Sequence, residues 1–122
     1  MKIISFAETT PALLAHAKTV TRREWAEKHA RAFKAGELVQ AWSKTPRVKG
    51  AKRVGTIRLT AAPYLEESAA APIEDYDAEG FTYLSEHGLT LFGGARPQDV
   101  WDSWMESSRP LWVVRFEIVE VQ

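Results

Sequence analysis

Cysteine is missing from all 122 residues, so neither disulfides nor thiolate metal sites can support this fold. Long apolar runs are missing too. Met1-Lys2-Ile3-Ile4-Ser5-Phe6 is too short for the hydrophobic stretch of a signal peptide, and nothing nears the roughly 18 apolar residues of a membrane-spanning helix. These absences predict a soluble, cytoplasmic protein with no membrane partner. No Walker loop, G-x-G-x-x-G, H-E-x-x-H or G-x-S-x-G motif occurs, which leaves the common phosphate-cradling, zinc-hydrolytic and serine-elbow chemistries without a carrier. The three histidines, His16, His29 and His87, are isolated in sequence and read as surface or packing residues. No metal and no cofactor is expected.

The length suits one domain, residues 1–122, and the 45% apolar and 26% charged fractions are ordinary for a globular chain. Five tryptophans are many for this length, and each brings a large apolar area with one N–H to satisfy. The formal net charge of zero conceals a division. Residues 1–60 carry 13 Lys/Arg against 4 Asp/Glu, giving +9; residues 61–122 carry 3 against 12, giving −9. Such a split marks either a nucleic-acid footprint on the basic half or mutual attraction of the halves across one fold.

Periodicity then places the elements. Lys2–Phe6 reads as a strand, and Thr9-Thr10-Pro11 as a hydroxyl cap followed by a first-turn proline, opening a helix that runs to about Lys18. Lys18–Arg23 is β-branched and cationic, which suits an extended segment. Trp25, Ala26, His29, Ala30 and Phe33 recur at helical spacing across Glu24–Lys34, with Gly36 as the stop. Leu38–Trp42 and Arg53–Ala62 are strands joined by a basic loop, Ser43–Lys52. In the second, Val54, Thr56, Arg58 and Thr60 are expected on one face and Gly55, Ile57, Leu59 and Ala61 on the other. An acidic connection, Glu66–Glu79, holds a short helical turn near Ile73–Gly80. Pro97 opens a helix with a Val100, Trp101, Trp104, Met105 stripe, Pro110 ends it, and Leu111–Val121 is the last strand. Trp101, Trp104 and Trp112 follow core periodicities. Few strands, with helices mostly at the ends of the sheet, predict an α+β fold with a mixed, closed or nearly closed barrel.

Chemistry concentrates in Lys18-Thr19-Val20-Thr21-Arg22-Arg23. Alternation puts Thr19, Thr21 and Arg23 on one side and Lys18, Val20 and Arg22 on the other, while a bend at the start of the segment would bring Lys18 beside Thr21. A threonine hydroxyl needs a base to become nucleophilic, and a desolvated lysine can serve. The same donors suit a phosphate or base edge, and the same composition suits a solvated strand edge. Trp42, at a strand end beside the basic loop, is the tryptophan placed to contact a base.

The N-terminal helix running into A-K-T-V-T-R-R, then G-E-L-V-Q-A-W, R-V-G-T-I-R-L-T and D-A-E-G-F, resembles an ASCH domain from about Ile3 to Glu117. Its most specific element is K-T-x-T-x-R, matched by Lys18, Thr19, Thr21 and Arg23, with support from Gly36–Val39 and Glu79-Gly80-Phe81. The resemblance implies a PUA-like fold, a small β-barrel of mixed strands flanked by helices, with a cleft that takes RNA or a modified nucleoside. Small bacterial members of that family include amidohydrolases that deacylate N4-acetylcytidine with a lysine, a threonine three residues later and a distant glutamate. Carried onto this chain, these are Lys18, Thr21 and Glu79: Thr21 attacks the amide, Lys18 activates it and Glu79 moves a proton to the leaving amine. Thr19 and Arg23 are then expected to bind the nucleoside, with Arg23 also able to pair with Glu79. The rival expectations are a non-catalytic RNA-binding module gripping phosphates through Lys44, Arg47, Lys49, Lys52 and Arg53, and a ribonuclease using the same cleft.

Overall fold

The computed structural model describes residues 1–122. Six strands are β1 (Ile3–Ser5), β2 (Val20–Arg23), β3 (Leu38–Trp42), β4 (Arg53–Leu59), β5 (Tyr64–Glu67) and β6 (Pro110–Val121). Five short helices accompany them: α1 (Thr10–Leu14), α2 (Glu27–Arg31), α3 (Asp75–Ala78), α4 (Phe81–Glu86) and α5 (Pro97–Glu106). The strands form one sheet in the order β1-β3-β4-β6-β2, with β5 also on β6; β1 and β3 are parallel and every other pair is antiparallel. This is an α+β fold in which a curled mixed sheet makes a half-barrel. It does not close: β1 and β2 stand at the two ends of the path without hydrogen bonds between them. No helix is long and apolar enough to cross a membrane.

Strand β6 is the spine. Its first half pairs with β2 and β5, and its second half with β4. Pro110 opens this strand rather than merely ending the preceding helix, and its missing N–H costs nothing at a strand start. The sheet bends where β4 meets β6. A register shift between Thr56 and Ile57 breaks the expected alternation, so Val54 joins Ile57 and Leu59 in one core cluster. Gly55 sits at that bend because any Cβ there would run into the backbone carbonyl of Glu120.

Three further expectations are corrected. Strand β5 runs into the stretch read as an acidic connection, where Glu66 and Glu67 pair in register with Leu111 and Pro110. The helix expected over Glu24–Lys34 is confined to Glu27–Arg31; Trp25, His29 and Phe33 instead form an aromatic stack, with Trp25 and Phe33 parallel at 4.9 Å. Helix α1 starts as expected with Pro11 in its first turn but ends at Leu14, and no hydroxyl caps it: Thr9 Oγ1 donates back to Phe6 O instead.

Two apolar clusters carry the fold. One fills the half-barrel around Ile4, Phe6, Val39, Ile57, Leu59, Val114 and Phe116; the other packs Phe81, Leu84, Leu91, Trp101, Trp104 and Leu111 between α4, α5 and β6. Burying each of these large side chains contributes about 1.5–3 kcal/mol before entropy is charged. Helix α1 divides the clusters, sending Leu13 to the first and Ala12 to the second. The seam between them, beside the open edge of the sheet, is where polar side chains collect.

Candidate functional site

Lys18 lies two residues before β2, and its side chain is almost fully buried at 1% exposure. Its ammonium donates to Glu79 Oε1 at 3.1 Å and to the Glu79 backbone carbonyl at 2.8 Å, a contact spanning 61 positions of sequence. Glu79 follows α3 and is equally enclosed, at 3%. What allows this approach is Gly80. Its φ of +90° is left-handed, and a Cβ would come within 2.6 Å of the Ala12 Cβ and 3.4 Å of the Lys18 Cβ. Phe81, buried in the helical cluster, anchors the next residue. The Glu-Gly-aromatic step thus turns a carboxylate inward from an acidic run of which Glu74 and Asp77 are exposed and Asp75 is buried as well.

Arg22 completes the cluster. Its Nη1 donates to Glu79 Oε2 at 2.8 Å, and its Nη2 to Asp75 Oδ2 at 2.6 Å and Glu66 Oε1 at 3.2 Å. Asp75 is held from the other side by Arg115 at 2.8 and 3.1 Å. The Arg22 guanidinium also stands 5.9 Å from the Trp104 ring, while its Nε has no partner. Glu79 therefore pairs with Arg22, not Arg23 as one expectation held. The alternation of the strand contained the signal: Arg22 shares a side with Lys18, and both meet the same carboxylate. Arg23 points elsewhere, donating from Nε to Thr21 Oγ1 at 3.1 Å and lying 5.5 Å from the Phe6 ring.

Lys18, Arg22, Arg23 and Glu79 open onto one cavity of about 240 Å³, lined also by Phe6, Thr9, Thr21, Phe81, Phe92 and Trp104. Phe6, Phe81, Phe92 and Trp104 share its lining with the polar groups. Thr21 is buried, and its hydroxyl makes no hydrogen bond to Lys18. At the rim sits Phe92, 87% exposed, in a single 3-10 turn whose Gly93 and Gly94 both have positive φ.

Burial dominates the ionisation of Lys18, holding its ammonium below the ordinary 10.5 although Glu79 opposes the shift. Burial also presses Arg23 below its usual value, with Glu79 again opposing. For Arg22 burial acts the same way, but the hydrogen bonds to Asp75 and Glu79 outweigh it and raise the group. Asp75 would be raised by burial, yet Arg115 and Arg22 bring it below 3.8. The result is an amine that holds its proton less firmly than in water, set against the Glu79 carboxylate, with the Thr21 hydroxyl lining the same cavity. Such a set can shuttle protons around a nucleophile.

The other expected site residues fall outside the cavity. Thr19 is exposed, and its backbone is spent on Ala78 O and Phe116 N. Trp42 is half-buried, and its indole N–H is taken by Gln40 Oε1 at 2.9 Å. Lys44, Arg47, Lys49 and Lys52 are exposed on the β3–β4 loop and form no ion pair. Arg53 differs from them, since it is half-buried against Thr56 and 3.5 Å from Glu120. His16 is exposed, His29 belongs to the aromatic stack and His87 lies on Tyr83 at 4.0 Å. No group of three or more His, Asp or Glu side chains is arranged to hold a metal ion.

No family model and no curated protein matches the chain. Among solved structures it is similar to the crystal structure of protein EF3133 from Enterococcus faecalis V583, described as of family DUF984. The likeness has a TM-score of 0.55 at 16% identity and covers 99% of this chain and 81% of the other. At that identity the shared property is the fold.

Proposed function

We propose that this protein is an ASCH-type, PUA-like domain whose cavity binds a modified cytosine nucleoside and hydrolyses its N4-acyl amide. The observation that carries the reading is the buried contact of Lys18 Nζ with Glu79 at 3.1 Å, on the walls of the cavity that also holds Thr21. The volume of about 240 Å³ lies just under the roughly 300–1,000 Å³ of pockets that enclose drug-sized ligands, so it suits a base and a short acyl group rather than a polymer.

In this mechanism neutral Lys18 takes the proton of the Thr21 hydroxyl, and Oγ1 attacks the acyl carbon. The carbon–nitrogen bond breaks as the proton passes through Glu79 to the exocyclic nitrogen, and cytidine leaves. The acyl group remains as an ester on Thr21. Water then attacks that ester with Lys18 as base, releasing the carboxylic acid and restoring the hydroxyl. Arg22 and Asp75 hold Glu79 and its charge in position, and Phe92 offers a ring face at the mouth.

Incubation of the purified protein with N4-acetylcytidine is expected to release cytidine. Lys18→Ala should reduce turnover about 10²–10⁴-fold, the usual share of a positioned acid or base, while Thr21→Ser retains the hydroxyl and measurable activity. The rate should climb with pH as Lys18 deprotonates, at a pH below 10.5. Unchanged turnover in Lys18→Ala defeats the mechanism.

One observation favours a second reading, a non-catalytic RNA-binding module: the unpaired exposed cations Lys44, Arg47, Lys49 and Lys52. Binding through phosphates predicts affinity that falls by about one log unit per log unit of salt for each contact. A flat salt response with labelled RNA removes that reading, and the same RNA tested for cleavage separates a ribonuclease from both.

A further inference from the structure

A second cavity, of about 280 Å³, lies against the first and shares Ser5 and Arg23 with it. It is lined by Ile3, Ile4, Trp25, His29, Thr45 and Pro46, with no acidic side chain among them. Together the two occupy the gap that the unclosed sheet leaves between β1 and β2.

Arg23 forms the partition, and its bonding is incomplete. Only Nε has a hydrogen-bond partner, the Thr21 hydroxyl, and no carboxylate lies within 4 Å of any of its nitrogens. Adjacent Arg22 contacts three carboxylates. Both terminal nitrogens of this half-buried guanidinium are free and reach solvent, so they are available to an anion, which a guanidinium binds through charge-assisted hydrogen bonds. Thr45 and Pro46 extend the site into the β3–β4 loop, where Lys44, Arg47 and Lys49 are exposed without counter-ions. The positive charge that found no partner within the fold therefore gathers at one end of the gap.

We infer that the second cavity takes a phosphate group joined to the molecule held in the first, so that the substrate is a nucleotide rather than a free nucleoside. This deepens the amidohydrolase reading and rests on it for the identity of the base. Arg23 is the bridging contact, donating from its free terminal nitrogens to the phosphate while its Nε keeps Thr21 in place. The Trp25 ring borders the same space and offers a surface for the sugar or a neighbouring base.

The test compares N4-acetylcytidine with its 5′- and 3′-monophosphates and with a trinucleotide acetylated at its central cytidine. Turnover is measured alongside calorimetric binding of cytidine, both cytidine monophosphates and the unacylated trinucleotide. At low salt at least one phosphorylated form should exceed the nucleoside about tenfold in kcat/KM and in affinity, as a charge-assisted contact provides. Which form gains separates a monomer from a phosphodiester. Arg23→Gln should bring the ratio towards one, and Arg47→Gln with Lys49→Gln, on the exposed loop where folding is not at risk, should reduce it. If no acylated compound is turned over but phosphorylated cytidine still binds better in an Arg23-dependent way, the amidohydrolase reading falls and the phosphate site stands. Equal binding of cytidine and every phosphorylated form, or a preference that survives both variants, overturns the inference.

Discussion

Two groups of cations in this molecule have opposite fates. Lys18 and Arg22 lie in the seam between the cores, each against carboxylates, whereas Lys44, Arg47, Lys49 and Lys52 project from a loop with none. Seven of the eleven ion pairs join a residue of the basic half to one of the acidic half, so most of the sequence's charge division is resolved inside the fold. What the difference teaches is that clustered charge is informative only after pairing is subtracted. The paired group defines a rigid, desolvated pocket, and the unpaired group defines where the field of the protein reaches outward.

Breaking the buried side of this comparison should have the largest effect. Arg22→Ala leaves Asp75, Glu79 and Glu66 without their shared partner, and a loss of about 3–5 kcal/mol in denaturant unfolding is expected. Gly80→Ala comes next. It forces a side chain into a left-handed backbone against Ala12 and Lys18, at about 1–2 kcal/mol for the backbone alone, and it should lower turnover by moving Glu79.

Acid sharpens the same contrast. A carboxyl whose folded value is lowered stabilises the protein above its unfolded value and loses that contribution as pH falls through the folded one. For Asp75 the loss therefore occurs below 3.8, and Asp75→Asn should show a shallower fall of Tm in that range than the parent protein. The smallest effect belongs to the loop. Replacing Lys44, Arg47, Lys49 and Lys52 with glutamine should shift unfolding by less than about 0.5 kcal/mol, because no ion pair is lost.

Local pattern revealed some of this architecture and concealed the rest. The stripe of α5 was legible because Trp101 and Trp104 repeat at helical spacing and are buried as that spacing requires. The approach of Lys18 to Glu79 is implied only by the resemblance to the ASCH pattern, since no periodicity links residues 61 positions apart. For Arg22 alternation gives the side it shares with Lys18 but not its partners, which lie far along the chain at positions 66, 75 and 79. Strand β5 is hidden in the sequence because its side chains are mostly exposed and two of the four are acidic, and only pairing with β6 makes the segment a strand. The opening between β1 and β2 depends on how far the sheet curls. The register shift in β4 contributes to that curl, and residue alternation does not encode it.

The central position of β6 also bears on how the molecule is assembled at the ribosome. Strands β2, β4 and β5 all bond to residues 110–121, so a nascent chain that has emerged only through α5 has them without their common neighbour. Non-local pairings of this kind slow folding, and until they form, the apolar face of the half-barrel is open to chaperones and to other nascent chains. Val113 and Val114, fully buried in the finished sheet, are the residues whose arrival ends that interval.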